Sequence, residues 1–431
     1  MKKTKTVNVD EVERFDMARP VTACKWYLKP VAWLIAFPSL IAHRTKITKI
    51  GMKGLKPPYV LLGNHNAFFD MKVSAKATFP RFGNYVVAID GFIGREGLLR
   101  NIGCICKRKF TSDLTVVRQI KNAVKRGGIA AIYPEARYSL CGTPAPLPES
   151  LGGLCKMLGV PVVTLICHGH HINHPFWNTR HERGVKPTTA EMKRIITAEE
   201  IETLSSDEIN ERILAEFKYD DFAWQLENRI KVDCPDRAVG LEKILYQCPG
   251  CGTEFEMESS GTELRCRHCG RVWTMSEYGE LSANGGETFF SHIPDWYEWE
   301  RANVRREVEE GRYSSGELPV KVESLPNAER FIPIGEGTLV HDMNGFRVRV
   351  TDSEGRVREM KKTVRSLYSC HVEYEYLFTH GDCVDLNTLT DTWYIYPYGK
   401  PFSVTKMALA TEELYFDERR REGKPVKEGL A

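Results

Sequence analysis

The sequence predicts an α/β protein with a mixed, mostly parallel sheet covered by helices. A small cysteine-paired ribbon and a β-rich C-terminal domain follow it. Three observations carry this reading. Between residues 51 and about 235, short apolar runs at Tyr59–Leu62, Asn84–Ile89, Ile129–Tyr133 and Val162–Ile166 alternate with helical stretches, the pattern of βα units. Two Cys-x-x-Cys pairs then appear at Cys248/Cys251 and Cys266/Cys269. From about residue 326 the runs are strand-like, with a hairpin signal at Asn344-Gly345. The expected division is 1–50, a basic N-terminal segment; 51–235, the α/β domain; 236–283, the ribbon; 284–325, a helical connector; and 326–431, strands closed by one helix.

At 431 residues the chain is long enough for two or three domains. Its net charge of +3 is uneven: residues 1–60 hold twelve Lys/Arg against four Asp/Glu, a local +8, which leaves −5 for the rest. Thirteen cysteines behind a charged N-terminus with no apolar core point to a reducing compartment, with thiols or metal rather than disulfides.

Residues 26–42 read WYLKPVAWLIAFPSLIA. The uninterrupted apolar part, Val31–Phe37, is too short to span a bilayer. Trp26, Tyr27 and Trp33 suit a membrane interface, and Lys25, Lys29, Arg44, Lys46 and Lys49 attract anionic lipid. The expectation is a peripheral or monotopic anchor on the cytoplasmic face of the cell membrane; a buried helix is the alternative. Further on, Asp113–Arg126 carries Leu114, Val117, Ile120 and Val124 on one face, with Thr111 or Ser112 as cap and Gly127 as stop. A helix over Ser206–Asn228 opens with the capping box Ser205-x-x-Glu208.

The candidate chemistry sits after the strands. Asn64–Asp70 reads NHNAFFD, directly after an apolar run. A carboxylate five residues beyond an imidazole can fix its tautomer and leave the other ring nitrogen free to take a proton from a hydroxyl. Gly103–Lys109, GCICKRK, is either a basic turn or a phosphate clamp. Tyr133–Ser139, YPEARYS, places Glu135 and Arg137 at the mouth of the sheet. His168, His170, His171 and His174 match no standard metal spacing and are expected to line a polar cleft.

In their order and spacing these blocks, together with the Val-Pro strand at Gly159–Leu165, resemble the four motifs of the glycerolipid acyltransferase family, the 1-acylglycerol-3-phosphate acyltransferases. The resemblance covers roughly residues 50–230. It implies a mixed α/β fold, membrane association and phospholipid biosynthesis: acyl transfer from acyl-CoA or acyl carrier protein to the hydroxyl of a lysophospholipid, by default 1-acylglycerol 3-phosphate. It makes His65 the base, Asp70 its orienter, Glu135 part of the acceptor site with Gly103 and Arg137 beside it, and Arg108 or Lys109 the phosphate ligand. Backbone N–H groups near the following helix start would stabilise the oxyanion. The third block usually reads Phe-Pro-Glu-Gly-Thr-Arg-Ser; Ala136, Arg137 and Tyr138 replace its Gly, Thr and Arg. A lipid-binding relative without turnover is the alternative reading.

Cys248, Cys251, Cys266 and Cys269, each pair followed by Gly, read as a structural four-cysteine zinc ribbon, with rubredoxin-like iron as the alternative. Residues 248–282 hold six Glu against three Arg, the wrong sign for phosphate, so no nucleic-acid partner is expected. Pro294–Glu310 reads as a charged connector helix. The C-terminal strands and helix resemble a pleckstrin-homology-like module in element order alone.

Overall fold

The computed structural model describes residues 8–378 and 380–424. Its first sheet has seven strands: β1 (Lys46–Ile50), β2 (Tyr59–Gly63), β3 (Asn84–Ala88), β4 (Ile105–Lys107), β5 (Ile129–Ile132), β6 (Val162–His168) and β7 (Thr189–Ile196), in the order β1-β7-β6-β2-β5-β3-β4. All neighbours are parallel except β6 and β7. The central strand β2 is buried along its whole length, as expected of a parallel strand covered on both faces. Its side chains alternate between two cores. Tyr59 and Leu61 join Phe69 and Val73 of the helix Phe69–Ala77. Val60 and Leu62 join Val116 and Ile120 of the helix Leu114–Lys125 and Leu151 of the helix Leu151–Leu158.

Two local expectations shift by a few residues. The helix Leu114–Lys125 is capped by Asp113, whose carboxylate accepts from the N–H of Thr115 at 2.7 Å, and not by Thr111 or Ser112. The stretch expected as one helix after Ser205 divides into Ser206–Glu216 and Asp221–Glu227, with Asp220 capping the second. The capping box at Ser205 and Glu208 is formed.

The helix Leu28–Ala42 leans on Phe69–Ala77. Trp33 meets Phe79 edge to face at 4.7 Å, and Lys72 donates to the Ser39 hydroxyl. Its other side is apolar and open: Leu34, Ile35 and Ile41 are 76%, 66% and 70% exposed. Among the described residues no helix is long and apolar enough to cross a membrane.

The ribbon is an antiparallel sheet of β8 (Met257–Ser260), β9 (Glu263–Cys266), β10 (Val272–Met275) and β11 (Leu281–Ala283). The third sheet is antiparallel in the order β15-β14-β13-β12-β18-β17-β16. Its strands are β12 (Ser314–Ser324), β13 (Ile332–Asp342), β14 (Gly345–Asp352), β15 (Val357–Lys362), β16 (His371–Glu373), β17 (Cys383–Asn387) and β18 (Thr392–Pro397). The helix Val404–Arg421 packs against the helix Ile293–Glu309. The latter does more than connect: its Trp296 is fully buried against Trp273 of the ribbon at 4.9 Å. One apolar core runs through ribbon, third sheet and both helices, and takes in Phe176, Trp177 and Phe222 from the first part of the chain.

Candidate active site

Three adjacent parallel strands, β5, β2 and β6, end at the same edge of the first sheet, where ligands of open α/β sheets bind. Their following loops carry Tyr133–Ser139, Asn64–Asp70 and His168–His174 respectively. Asp70 lies in the first turn of the helix Phe69–Ala77 and is fully buried. Its Oδ2 accepts from the backbone N–H of Asn66 at 2.6 Å and of Ala67 at 2.9 Å, and stands 3.4 Å from His65 Nδ1. Its Oδ1 stands 2.5 Å from His170 Nδ1. Burial pushes this carboxyl up, but the hydrogen bonds from His170 and His65 outweigh it and hold Asp70 down at about 2. The carboxylate is therefore ionised and receives protons from both Nδ1 atoms. His65 Nε2 is the ring nitrogen outside this contact.

The His65 ring is held from both sides. Tyr133 stacks on it at 4.4 Å and Tyr138 leans on it at 4.3 Å. Gly63 makes the first contact feasible, because a Cβ there would lie 2.8 Å from the Tyr133 ring. His65 keeps 24% of its side chain exposed, whereas His170 has none. His65 is thus the half-open member of the pair, and His170 braces the carboxylate from the buried side.

Glu135 sits beneath this loop, wholly buried. It accepts from the N–H of His65 (3.1 Å) and Ala145 (2.8 Å) and from the Tyr219 hydroxyl at 3.1 and 3.0 Å. Burial raises its carboxyl to about 7 despite those donors. Glu135 is a brace for the His65 loop, where an acceptor contact was expected. Tyr219 reaches it from the break between the two helices that the sequence reads as one. Ala136, next in the chain, has a φ of +57°, at the position where the related motif carries glycine.

The cations of the motif blocks lie elsewhere than the resemblance implies. Arg108 is 1% exposed and donates to the carbonyls of Leu325, Pro326 and Thr390 and to the Thr392 hydroxyl, at 2.7–3.1 Å. Lys109 lies 3.2 Å from each of Asp90, Asp385 and His371. Arg137 pairs with Glu412 at 2.6 Å; both are buried. Gly103 is a packing glycine with φ +87°, where a Cβ would meet the Asn84 amide and the Thr22 carbonyl at 2.5 and 2.6 Å. Likewise, of the backbone N–H groups just before the helix Phe69–Ala77, those of Asn66 and Ala67 are occupied by Asp70.

The four histidines after β6 do not converge. His170 serves Asp70, His168 lies 3.6 Å from Asp221, and His174 bonds the Thr179 carbonyl. Burial pushes His171 down to about 4, so it is neutral at physiological pH. Asp70, Cys167 and His170 are close enough to share a metal ion. The donor set does not fit one: the Asp70 oxygens are saturated by N–H donors, and burial raises the Cys167 thiol well above its usual range.

The ribbon cysteines do fit a metal. All four sulfurs lie within 4.8 Å of one another, with Cys248–Cys269 at 3.7 Å and Cys251–Cys266 at 3.8 Å. Four sulfurs bound tetrahedrally to zinc at ~2.3 Å are separated by about 3.8 Å. Gly252 and Gly270, both at φ +75°, turn the knuckles and bond back to the carbonyls of Cys248 and Cys266. His268 is not among the clustered ligands.

No protein-family model matches the chain, and no curated protein matches it. Among solved structures, it is similar to the 1-acyl-sn-glycerophosphate (LPA) acyltransferase PlsC from Thermotoga maritima. The match has 14% identity and a TM-score of 0.36, and covers 44% of this chain and 76% of that one.

Proposed function

We propose that this protein is an acyltransferase that moves an acyl group from a thioester, acyl-CoA or acyl carrier protein, to a lipid hydroxyl. The observation that carries the reading is the half-open imidazole of His65, fixed through Nδ1 by a buried, ionised Asp70 that His170 holds from the other side. In this reading Nε2 takes the hydroxyl proton as the acceptor oxygen attacks the thioester carbonyl. Asp70 stabilises the imidazolium that forms. Collapse of the tetrahedral intermediate breaks the C–S bond, and the thiolate leaves with the proton returned by His65. Tyr133 and Tyr138 keep the ring from rotating between the two transfers. The ribbon, with zinc in its four-cysteine site, is a structural support.

The test is release of free thiol from acyl-CoA in the presence of phosphatidylglycerol vesicles and a panel of lysolipids headed by 1-acylglycerol 3-phosphate. Wild type turns over. His65→Ala loses at least about a hundredfold, the usual range for removing a general base, while keeping its fold. Undiminished turnover by His65→Ala refutes the assignment.

The same reading places the reaction at a bilayer surface. Leu34, Ile35 and Ile41 form an exposed apolar face with Trp26 beside it, and Phe68, inside the His65–Asp70 loop, is 54% exposed. Such a face inserts into the headgroup boundary, while the basic residues near it attract anionic lipid. Co-sedimentation with anionic vesicles is expected for wild type and is weakened at least tenfold by Leu34→Glu with Ile35→Glu. Equal sedimentation of the variant would remove this helix from the interaction.

A further inference from the structure

We infer that the acceptor lipid at the His65 site carries no phosphomonoester and is a non-anionic alcohol, an inference that rests on the acyltransferase reading above. A phosphate dianion needs cations that are free to meet it, commonly as charge-assisted, bidentate hydrogen bonds. Three of the four cations in these blocks are engaged by the C-terminal part of the chain, and the fourth, Lys107, donates to the Thr111 carbonyl at 2.9 Å. Arg108 satisfies three carbonyls and a hydroxyl between Leu325 and Thr392. Lys109 is enclosed by Asp90, Asp385 and His371. Arg137 donates through Nη2 to the buried Glu412, which Ser369 and Arg301 also hold, while its Nε and Nη1 are buried without a hydrogen-bond partner. Turning Arg108 to a ligand would leave its buried partners unpaired and loosen the third sheet from the first.

Carboxyl groups gather around Lys109, within reach of the aromatic residues that flank His65. Tyr138 leans on His65 and lies 5.3 Å from Phe176, whose ring is 6.2 Å from His371. Tyr138 and Phe176 therefore form an aromatic wall that runs from His65 to His371 of the Lys109 cluster. That cluster holds three carboxyl groups, Asp90, Glu373 and Asp385, around Lys109 and His371, and burial raises the Glu373 carboxyl to about 7. Glu373 has its nearest basic partner, His371, at 3.6 Å and keeps 15% of its side chain exposed. A dianionic head group brought here meets like charge, whereas a hydroxyl or an ammonium does not.

The experiment compares kcat/KM of the full-length, zinc-loaded protein, in phosphatidylcholine vesicles, for three acceptors of one chain length: a monoacylglycerol, a long-chain amino alcohol and 1-acylglycerol 3-phosphate. The expected result is His65-dependent turnover of at least one of the first two, at least tenfold above the third, with no inhibition by millimolar glycerol 3-phosphate. A His65-dependent preference for 1-acylglycerol 3-phosphate overturns this inference and leaves the acyltransferase reading standing. Absence of His65-dependent turnover with all three overturns both. Lys109→Gln gives an independent check, because the ratio between acceptors is read and not the absolute rate. The ratio stays within twofold of wild type if Lys109 is a structural pair, and shifts against the phosphate acceptor if Lys109 binds it.

Discussion

His65 and His170 both contact Asp70, yet their removal has opposite signatures. His170→Ala deletes the 2.5 Å donor to Oδ1 at a site with no exposure. A hydrogen bond to a charged group contributes about 1.5–3 kcal/mol. The void left by the ring adds roughly 1–2 kcal/mol at ~24 cal/mol per Å3. The expected loss is therefore about 2.5–5 kcal/mol. His65→Ala removes a 3.4 Å contact from a ring that is 24% exposed, for a loss under about 1 kcal/mol. Urea unfolding at pH 7, followed by circular dichroism, measures the two. The acid limb adds a second reading. The Asp70 carboxyl is depressed from 3.8 to about 2 in the folded state, so its contribution to stability is full above pH 4 and is lost as pH falls through 2. In His170→Ala that loss begins at higher pH. Acyl transfer completes the contrast, abolished in His65→Ala and reduced but measurable in His170→Ala. Equal destabilisation by the two variants would refute the division of labour between an outer base and an inner brace.

Glu135 titrates in the reverse sense. Its folded value is raised from 4.5 to about 7, so its contribution is full below pH 4.5 and is lost as pH rises through 7. Glu135→Gln is expected to flatten that part of the stability profile, read as the unfolding midpoint from pH 4.5 to 8. Removing the ribbon metal with a strong chelator is expected to expose Trp273 and Trp296, which pack against each other in the core that the ribbon shares, and to shift their fluorescence to the red; an unchanged spectrum would show that the ribbon holds without metal. Ala136→Gly relieves a left-handed alanine, a strain of about 1–2 kcal/mol. The added freedom of the unfolded chain offsets about 0.4–1 kcal/mol of that gain. A net gain of about 0–1.6 kcal/mol in thermal or urea unfolding is expected, and a loss would show that the methyl group packs productively.

What the sequence made legible was local. Strand runs, the Asp70 turn, the Ser205 capping box and the spacing of the paired cysteines are each written within some twenty residues, and each forms. The residues that complete the site were not local. His170 is 100 positions from Asp70 and Tyr219 is 84 from Glu135. The one signal for His170 was the histidine-rich run after β6, which invited a metal or cleft-lining reading. The basic blocks were misleading for the same reason. Arg108 and Lys109 look free in sequence because, Asp90 apart, their partners lie 217 to 284 positions downstream. Charge type is visible in a sequence, whereas prior engagement of the charge is a property of tertiary packing.

The Arg108 contacts also bear on how the chain is made. A ribosome releases residues 50–235 well before Thr390 and Thr392 emerge, so Arg108, directly after β4, must wait for two of its four interior partners. Its burial belongs among the last steps of assembly, after the β18 segment arrives. Shortened chains that stop before residue 390 would therefore expose that arginine together with the apolar edge around Cys104 and Cys106. The half of the protein that holds the candidate chemistry depends on its final hundred residues for a finished surface.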